Sequence, residues 1–206
     1  MIDPQHLLSG LLSGLGATSP LEAISVALNL AYSLQAVQRS RWCWVTGGLG
    51  SAIAIYLAAR ARLPMQAALQ VYYVLISAYG WWHWSRAQGA VTRSVTTWAL
   101  WKHIVACVAT VAVSVLTARW LAVETQAAWP LLDSLTTWGS LLATWLTARV
   151  KLENWLYWLI IDSTLAFLFA VQGLYLFALL SIVYLGVSVA GFAKWLQAYR
   201  HPLPAS

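Results

Sequence analysis

The sequence predicts an all-α membrane protein with seven transmembrane helices, and two observations support this fold class. Of its 206 residues, 61% are hydrophobic and only 9% are charged. Because water-soluble domains carry about 25% charged residues, most of this surface must face lipid. The apolar residues also fall into stretches of roughly 20 residues, the length that an α-helix needs to cross a bilayer.

Charged residues, prolines and glycines separate seven such stretches. The predicted spans cover residues 21–37, 42–59, 64–84, 95–118, 131–148, 155–171 and 174–195. Residues 1–20 have no basic region typical of a cleavable signal peptide, so they are predicted to form a leader that lies on the membrane surface or is flexible. Residues 196–206 form a tail after the last span.

The basic residues predict the orientation of these spans. With seven spans, one side of the membrane holds Arg39, Arg41, Arg86, Arg93, Arg149, Lys151, Lys194 and Arg200, whereas the other holds Arg60, Arg62 and Arg119. The positive-inside rule places the first group and the C-terminus in the cytoplasm, with the N-terminus outside the inner (plasma) membrane. The net charge of +6 is therefore interpreted as a topology signal, and no nucleic-acid partner is expected.

An internal repeat appears when the chain is shifted by 111 residues against itself. The matched residues are Leu21 with Leu132, Glu22 with Asp133, Trp44 with Trp155, Leu63 with Leu174, Tyr73 with Tyr184, Gly80 with Gly191 and Trp84 with Trp195. The shift crosses four spans, so the two repeats, 21–84 and 131–195, point the same way through the membrane. Residues 85–130 then carry an inversion linker helix. This SWEET-like 3+1+3 parallel repeat predicts a solute site between the repeats near the bilayer midplane.

The segment LENWLYWLIIDS is the strongest candidate for a binding site. Trp158 lies three residues after Trp155, and Asp162 lies four residues after Trp158. This spacing places the three side chains on one helical face, and Asn154 lies just before them. An acid inside a span must face the protein interior or a wet cavity. Two indoles beside a carboxylate suit a flat, cationic ring. The alternative is that the tryptophans form an interfacial belt and Asp162 bonds a neighbouring helix.

Other spans offer polar and aromatic side chains to the same site. They are Gln70, Tyr73 and Ser77 of the third span, Trp44 of the second, and Asn29 of the first. Asn29 is equally consistent with an interhelical hydrogen bond. Trp81, Trp82 and Trp84 adjoin Arg86 and are predicted to anchor the third span at the membrane interface.

Several other features favour a structural interpretation. Gly47, Gly48 and Gly50 are predicted to allow close helix packing, because no strand precedes them as in a nucleotide-binding loop. The two cysteines, Cys43 and Cys107, are predicted to be buried thiols. Lys102, about two turns inside the fourth span, is expected to extend to the interface. No metal-ligand spacing and no nucleophile arrangement is present in the sequence, so neither a cofactor nor an enzyme is expected.

The runs RSRWCWVTGG and YGWWHW, together with the W-x-x-W-x-x-x-D pattern of Trp155, Trp158 and Asp162, resemble the PnuC family of bacterial vitamin transporters. The resemblance covers about residues 21–195. It implies a SWEET-like helical fold, assembly as a homotrimer, and facilitated diffusion of nicotinamide riboside, with relatives that carry thiamine or riboflavin. It also implies that a cytoplasmic kinase traps the solute by phosphorylation.

The leading hypothesis is therefore uptake of nicotinamide riboside by rocking of two three-helix repeats, and thiamine is the alternative solute. Both vitamins carry a cationic aromatic ring, which suits indoles beside an acid. A proton-coupled symporter would use Asp162 or His83 as its titrating group. From a different class, the chain could be a membrane-embedded enzyme or a structural subunit.

Overall fold

The computed structural model describes residues 18–60, 64–86, 94–124 and 129–201, together with Gly16. These residues form seven long helices: α1 Pro20–Val37, α2 Cys43–Arg60, α3 Pro64–Arg86, α4 Leu100–Glu124, α5 Pro130–Ala148, α6 Asn154–Val171 and α7 Tyr175–Arg200. Most of the predicted leader lies outside the described residues, as do Arg62, Leu63 and Arg93. The last helix continues into the predicted tail as far as Arg200.

Helix lengths match the thickness of a bilayer. Three stretches, Leu100–Val123, Asn154–Val171 and Tyr175–Arg200, are long and apolar enough by themselves to be recognised as membrane spans. The shortest helices have 18 residues. At about 1.5 Å per residue, 18 residues extend roughly 27 Å, close to the hydrocarbon thickness of about 30 Å.

Helix α1 has a well-defined start. The Ser19 hydroxyl accepts a hydrogen bond from the Glu22 backbone N–H at 3.3 Å, and the Glu22 carboxylate accepts from the Ser19 N–H at 2.7 Å. Pro20 occupies the first helical turn, where its missing N–H has no consequence. This reciprocal capping explains why the helix begins at Pro20.

The fourth helix begins later than the sequence predicted. The predicted span was 95–118, whereas α4 runs from Leu100 to Glu124. Thr96 is extended instead, because its backbone N–H donates to the Val150 carbonyl at 3.1 Å and its carbonyl accepts from the Leu152 N–H at 2.9 Å. Lys102 therefore lies in the first turn of α4, not two turns inside it.

Glu153 fixes this extended segment to the turn between α5 and α6. Its Oε1 atom accepts a hydrogen bond from the Trp98 backbone N–H at 2.7 Å and lies 3.4 Å from His103 Nε2. The Lys151 ammonium donates to the Thr96 hydroxyl at 2.8 Å. The start of α4 is thus attached to the second group of three helices.

We expect Glu153→Ala to lower the free energy of unfolding by about 1 kcal/mol, because it leaves the Trp98 N–H without its acceptor. Glu153→Gln is the matched control, since the amide retains an acceptor oxygen at the same distance. Thermal unfolding of the two purified variants in detergent checks this prediction. Equal losses in both variants would mean that the carboxylate charge, not the hydrogen bond, matters.

The turns that end α1 and α5 have the same conformation. Arg39 and Val150, which are related by the 111-residue offset, both adopt φ of 54°. In each turn the following N–H reaches back five residues, from Ser40 to the Gln35 carbonyl at 3.0 Å and from Lys151 to the Leu146 carbonyl at 2.9 Å. Both are Schellman turns formed without the glycine that usually supplies a positive φ.

Helices α1, α2 and α3 pack in sequence as a first three-helix unit, and α5, α6 and α7 pack as a second. The two units meet through two helix pairs, α1 with α7 and α3 with α5. The 111-residue offset relates the starts of these helices. It relates Cys43, which begins α2, to Asn154, which begins α6. It also relates Pro64, which begins α3, to Tyr175, which begins α7. Helix α4 makes its main backbone contacts with α5 and lies at the side of the second unit.

The glycines of α2 bring it close to α1, as the sequence predicted. A Cβ atom built on Gly47 would lie 2.8 Å from the Tyr32 ring, and one on Gly50 would lie 3.2 Å from Leu28 Cβ. In the second unit Gly139 of α5 faces Ile161 of α6 at 3.4 Å. The offset relates Leu28 to Gly139 and Gly50 to Ile161. The glycine of this contact therefore lies on the second helix of the first unit but on the first helix of the second unit.

The outer face of α4 is apolar and exposed. Val105, Val108 and Val111 expose half or more of their surface, as suits contact with lipid. Cys107 lies on this helix and is exposed, whereas Cys43 is fully buried. The prediction of a buried thiol is therefore confirmed for Cys43 and wrong for Cys107, because α4 lies at the side of the second unit and leaves much of its surface open.

Candidate functional site

Asp162 is a buried carboxylate in the middle of α6. Its side chain is 5% exposed, and Oδ2 accepts a hydrogen bond from the Ser188 hydroxyl of α7 at 3.3 Å. The Tyr184 phenol, one turn before Ser188, is close enough to interact electrostatically with the carboxylate. No side chain of the described residues forms an ion pair with Asp162. A buried carboxylate without a countercharge is costly, so this position is suited to a cation.

The equivalent positions of the first unit carry no acid. The 111-residue offset relates Asp162 to Ser51 and Ser188 to Ser77, and both of these serines are also buried. The two units therefore differ at this position by one carboxyl group, which only the second unit carries.

Trp155 and Trp158 differ in their surroundings although they share a helical face with Asp162. Trp155 is 4% exposed and belongs to the core, whereas Trp158 is half-buried and packs against that core. Trp155 lies flat on Gly191 of α7, where an added Cβ would be 2.6 Å from its ring atoms. Of the two predicted stacking surfaces, Trp158 is thus the more accessible in this conformation.

Trp44 repeats the arrangement of Trp155 in the first unit. Its ring covers Gly80 of α3 so closely that an added Cβ would overlap the indole. The sequence repeat had paired Trp44 with Trp155 and Gly80 with Gly191, but it did not indicate that each indole covers its glycine. Only glycine leaves room for an indole at such a contact.

Four tryptophans form a continuous cluster at one end of the helix bundle. This tryptophan cluster comprises Trp44, Trp84, Trp155 and Trp195. The ring centroids of Trp44 and Trp84 are 5.4 Å apart with an interplanar angle of 88°, and those of Trp155 and Trp195 are 5.5 Å apart with the same angle. Trp84 and Trp195 join the two halves at 6.4 Å. The perpendicular pairs have the edge-to-face geometry that aromatic rings prefer.

Two indole hydrogen bonds cross between the units. Trp84 Nε1 of the first unit donates to the Ala148 carbonyl at the end of α5, at 2.9 Å. Trp195 Nε1 of the second unit donates to the Ala36 carbonyl near the end of α1, at 3.2 Å. Carbonyls in the last turn of a helix lack an intrahelical partner and accept such bonds readily.

The prediction that Trp84 anchors the protein at the membrane interface is wrong. Trp84 is 1% exposed, because its indole is used between the two units. Trp82 does have the predicted character, since it is 49% exposed and the Arg86 guanidinium lies 4.2 Å from its ring centroid. Trp81 is half-buried, with Arg41 at 5.2 Å from its ring.

Asn154 is committed to the turn before α6. It is fully buried, its Oδ1 accepts from the Thr147 hydroxyl at 3.0 Å, and its Nδ2 donates to the Lys151 carbonyl at 2.6 Å. Asn29 donates to the Ser25 carbonyl of its own helix at 2.9 Å and packs beside Gly50. A contact of either amide with a solute remains a prediction.

Tyrosines of α3 reach the second unit. The Tyr72 hydroxyl donates to the Leu141 carbonyl at 2.9 Å, and Tyr73 lies near Ser140 of α5. Ser77 is buried opposite Gly48, and Gln70 is half-buried on the same helix. The site prediction did not include Tyr184 and Ser188, although the repeat had already paired Tyr184 with Tyr73.

Basic groups gather at the end of the bundle that holds the tryptophan cluster. Burial lowers the pKa of the Lys151 ammonium, Glu153 raises it, and the nearby cations Arg149 and Lys102 lower it. Arg149 also donates to the Tyr79 hydroxyl at 2.9 Å. This concentration of cations is typical of a cytoplasmic membrane face.

A separate apolar cavity of about 240 Å³ lies between α4, α5 and α6. Its walls include Cys107, Leu135, Tyr157 and Ile160, and none of the predicted site residues. It opens beside the lipid-facing surface of α4 and is distinct from the surroundings of Asp162.

Comparison with known proteins agrees with this architecture. The sequence model of the nicotinamide mononucleotide transporters matches residues 19–197. The chain belongs to this family. The resemblance to the PnuC transporters that the sequence motifs suggested is thereby confirmed, and the chain is a multi-pass membrane protein of a vitamin transporter family.

Individual relatives of the family differ in the vitamin they carry. The riboflavin/roseoflavin transporter RibM of Streptomyces davaonensis is 27% identical over 175 residues, which span 81% of this chain and 80% of RibM. The nicotinamide riboside transporter PnuC of Escherichia coli is 30% identical over 158 residues, which span 64% of this chain and 66% of PnuC. The crystal structure of a vitamin B3 transporter PnuC superposes with a TM-score of 0.73 at 18% identity, covering 98% of this chain and 95% of that one.

Proposed function

We propose that the protein takes up nicotinamide riboside by facilitated diffusion across the bacterial inner membrane. The observation that carries this proposal is Asp162, a buried carboxylate with a serine and a phenol beside it and no countercharge among the described side chains. A pyridinium ring can supply the missing positive charge, and Trp158 can stack on it. The ribose hydroxyls would find partners in Gln70, Tyr73 and Ser77.

The two three-helix units are the moving parts of this mechanism. The starts of their second and third helices, their Schellman turns and their tryptophan pairs correspond through one offset of 111 residues. This correspondence supports a SWEET-like 3+1+3 arrangement with α4 as the linker. They touch through α1 with α7 and α3 with α5, so a small rotation at these contacts exposes a site between them to either side.

The remaining parts of the proposal concern the cell. The basic end of the bundle faces the cytoplasm and the N-terminus lies outside, as the Lys and Arg distribution predicts. A cytoplasmic kinase phosphorylates the vitamin and so keeps it inside. The protein assembles as a homotrimer, as the family resemblance implies.

Riboflavin is the second candidate solute, because the similarity to RibM extends over more of the chain than the similarity to PnuC. Thiamine is a third, since its thiazolium ring also carries a positive charge. The carboxylate distinguishes these solutes by charge. A neutral flavin has no positive charge to pair with Asp162, whereas the two cations do.

Calorimetric titration of the detergent-purified protein with nicotinamide riboside, thiamine and riboflavin tests the choice of solute. The proposal requires that nicotinamide riboside binds most tightly. Tightest binding of riboflavin would replace the first candidate by the second. A protein that binds none of the three would instead favour a structural subunit, and conversion of a vitamin during the titration would indicate an enzyme.

Facilitated diffusion also predicts how transport responds to energy. In proteoliposomes held at zero membrane potential, uptake of nicotinamide riboside should stop when the inner and outer concentrations are equal, and a protonophore should leave the initial rate unchanged. Liposomes that enclose a nicotinamide riboside kinase with ATP should accumulate the phosphorylated product beyond that level. Accumulation without the kinase that collapses with the protonophore would show a proton-coupled symporter instead.

A further inference from the structure

We propose that the tryptophan cluster is the cytoplasmic gate of this transporter, held closed by Trp84 and Trp195. The proposal rests on alternating access by the two units, and it assigns a transport role to two residues outside the predicted solute site. The cluster lies where α1, α3, α5 and α7 end and where α2 and α6 begin, at the basic end of the bundle. There the four indoles are packed so tightly that none is more than 4% exposed.

The bonds that close this end join one unit to the other. Trp84 of the first unit donates to Ala148 of the second, and Trp195 of the second donates to Ala36 of the first. The two rings also meet each other at 6.4 Å. Opening this end by moving the units apart must break both hydrogen bonds and separate these rings.

The same packing leaves two other indole donors without partners. Trp44 Nε1 and Trp155 Nε1 are both buried, and neither donates a hydrogen bond to an acceptor among the described residues. An unpaired buried N–H group is unfavourable, and it would regain a partner if water entered. Closure is thus favoured by two indoles and opposed by the other two, which keeps the gate able to open.

The opposite effects of the two indole pairs on closure lead to a prediction that a purely hydrophobic core would not make. Replacing Trp84 and Trp195 by phenylalanine removes the bonds that hold the gate closed, whereas replacing Trp44 and Trp155 by phenylalanine removes the unpaired donors. Both double variants lose the same side-chain volume. If the cluster were only a hydrophobic core, both pairs would loosen this end of the bundle. If it is a gate, the two pairs change its opening in opposite directions.

Cys43 is a natural reporter of opening. It is one of the two cysteines of the chain, is fully buried within the same core, and adjoins Trp44 in the sequence. In a Cys107→Ser background, a membrane-impermeant maleimide should label Cys43 slowly, and only from the face that carries the basic residues. Inside-out and right-side-out vesicles present the two faces separately.

We expect Trp84→Phe with Trp195→Phe to label roughly tenfold faster than the Cys107→Ser protein, and Trp44→Phe with Trp155→Phe to label about threefold slower. Faster labelling in both double variants, or no change in either, would overturn the gate. Labelling only from the opposite face would overturn its cytoplasmic position. If a double variant does not elute as a folded protein in gel filtration, the single variants Trp84→Phe and Trp195→Phe should each accelerate labelling by a smaller factor. The assay contains no vitamin, so its outcome is independent of the solute titrations.

Discussion

Asp162→Asn is expected to weaken the binding of nicotinamide riboside by about 10- to 100-fold. The substitution keeps the shape of the side chain and an acceptor for the Ser188 hydroxyl, but it removes the negative charge that the cationic ring would pair with. Interactions with a charged partner contribute about 1.5–3 kcal/mol, and 1.4 kcal/mol corresponds to a factor of ten in affinity. Calorimetric titration of the variant against the wild-type protein measures the change.

Two controls separate the charge from the surrounding hydrogen bonds. Ser188→Ala removes the donor to Asp162 and keeps the carboxylate, so its effect on affinity should be much smaller. Ser51→Ala alters the equivalent position of the first unit, where no charge is present, and should also have a small effect. Riboflavin, a neutral solute, should bind the asparagine variant as it binds the wild type. Equal loss in all three variants would show that Asp162 supports the structure instead of binding a cation.

Gly191→Ala is expected to lower the stability of the protein by about 1–3 kcal/mol, the usual cost of forcing an extra methyl into a packed contact. The added Cβ would lie 2.6 Å from ring atoms of Trp155, a rigid side chain that Trp195 holds at 5.5 Å on another side. For a chain of this size each kcal/mol corresponds to about 2–4 °C in Tm. Thermal unfolding in detergent would show the shift.

Gly186→Ala is the matched control in the same helix. A Cβ at Gly186 would meet nothing within 4 Å, and alanine is the better helix former by up to about 1 kcal/mol. Its Tm should therefore stay the same or rise. Gly80→Ala should behave like Gly191→Ala, because its Cβ would overlap the ring of Trp44. A similar Tm for Gly186→Ala and Gly191→Ala would contradict the rigid contact between Trp155 and its glycine.

Hydrophobicity and length predicted six of the seven spans to within a few residues of the helices in the structure. The exception among these six is the end of α7, which extends to Arg200. The fourth was displaced because residues before Leu100 are apolar enough to be included in a span. Thr96 instead pairs with the turn after α5, a contact between residues more than fifty positions apart. Such a distant backbone contact leaves no local signal in the sequence.

The sequence by itself determined the membrane environment, the number of long helices among the described residues and the family. Lipid exposure requires apolar stretches of a fixed length, and the family motifs are local. It also made Asp162 a candidate binding residue, since an acid inside such a stretch is unusual. Only the tertiary structure decided which tryptophans are exposed and which are buried. Trp82 and Trp84 are two residues apart and chemically identical, yet one is half exposed and the other is buried against Ala148 of the opposite unit. The helical twist and the partner helix determine that difference, and neither can be read from residue type alone.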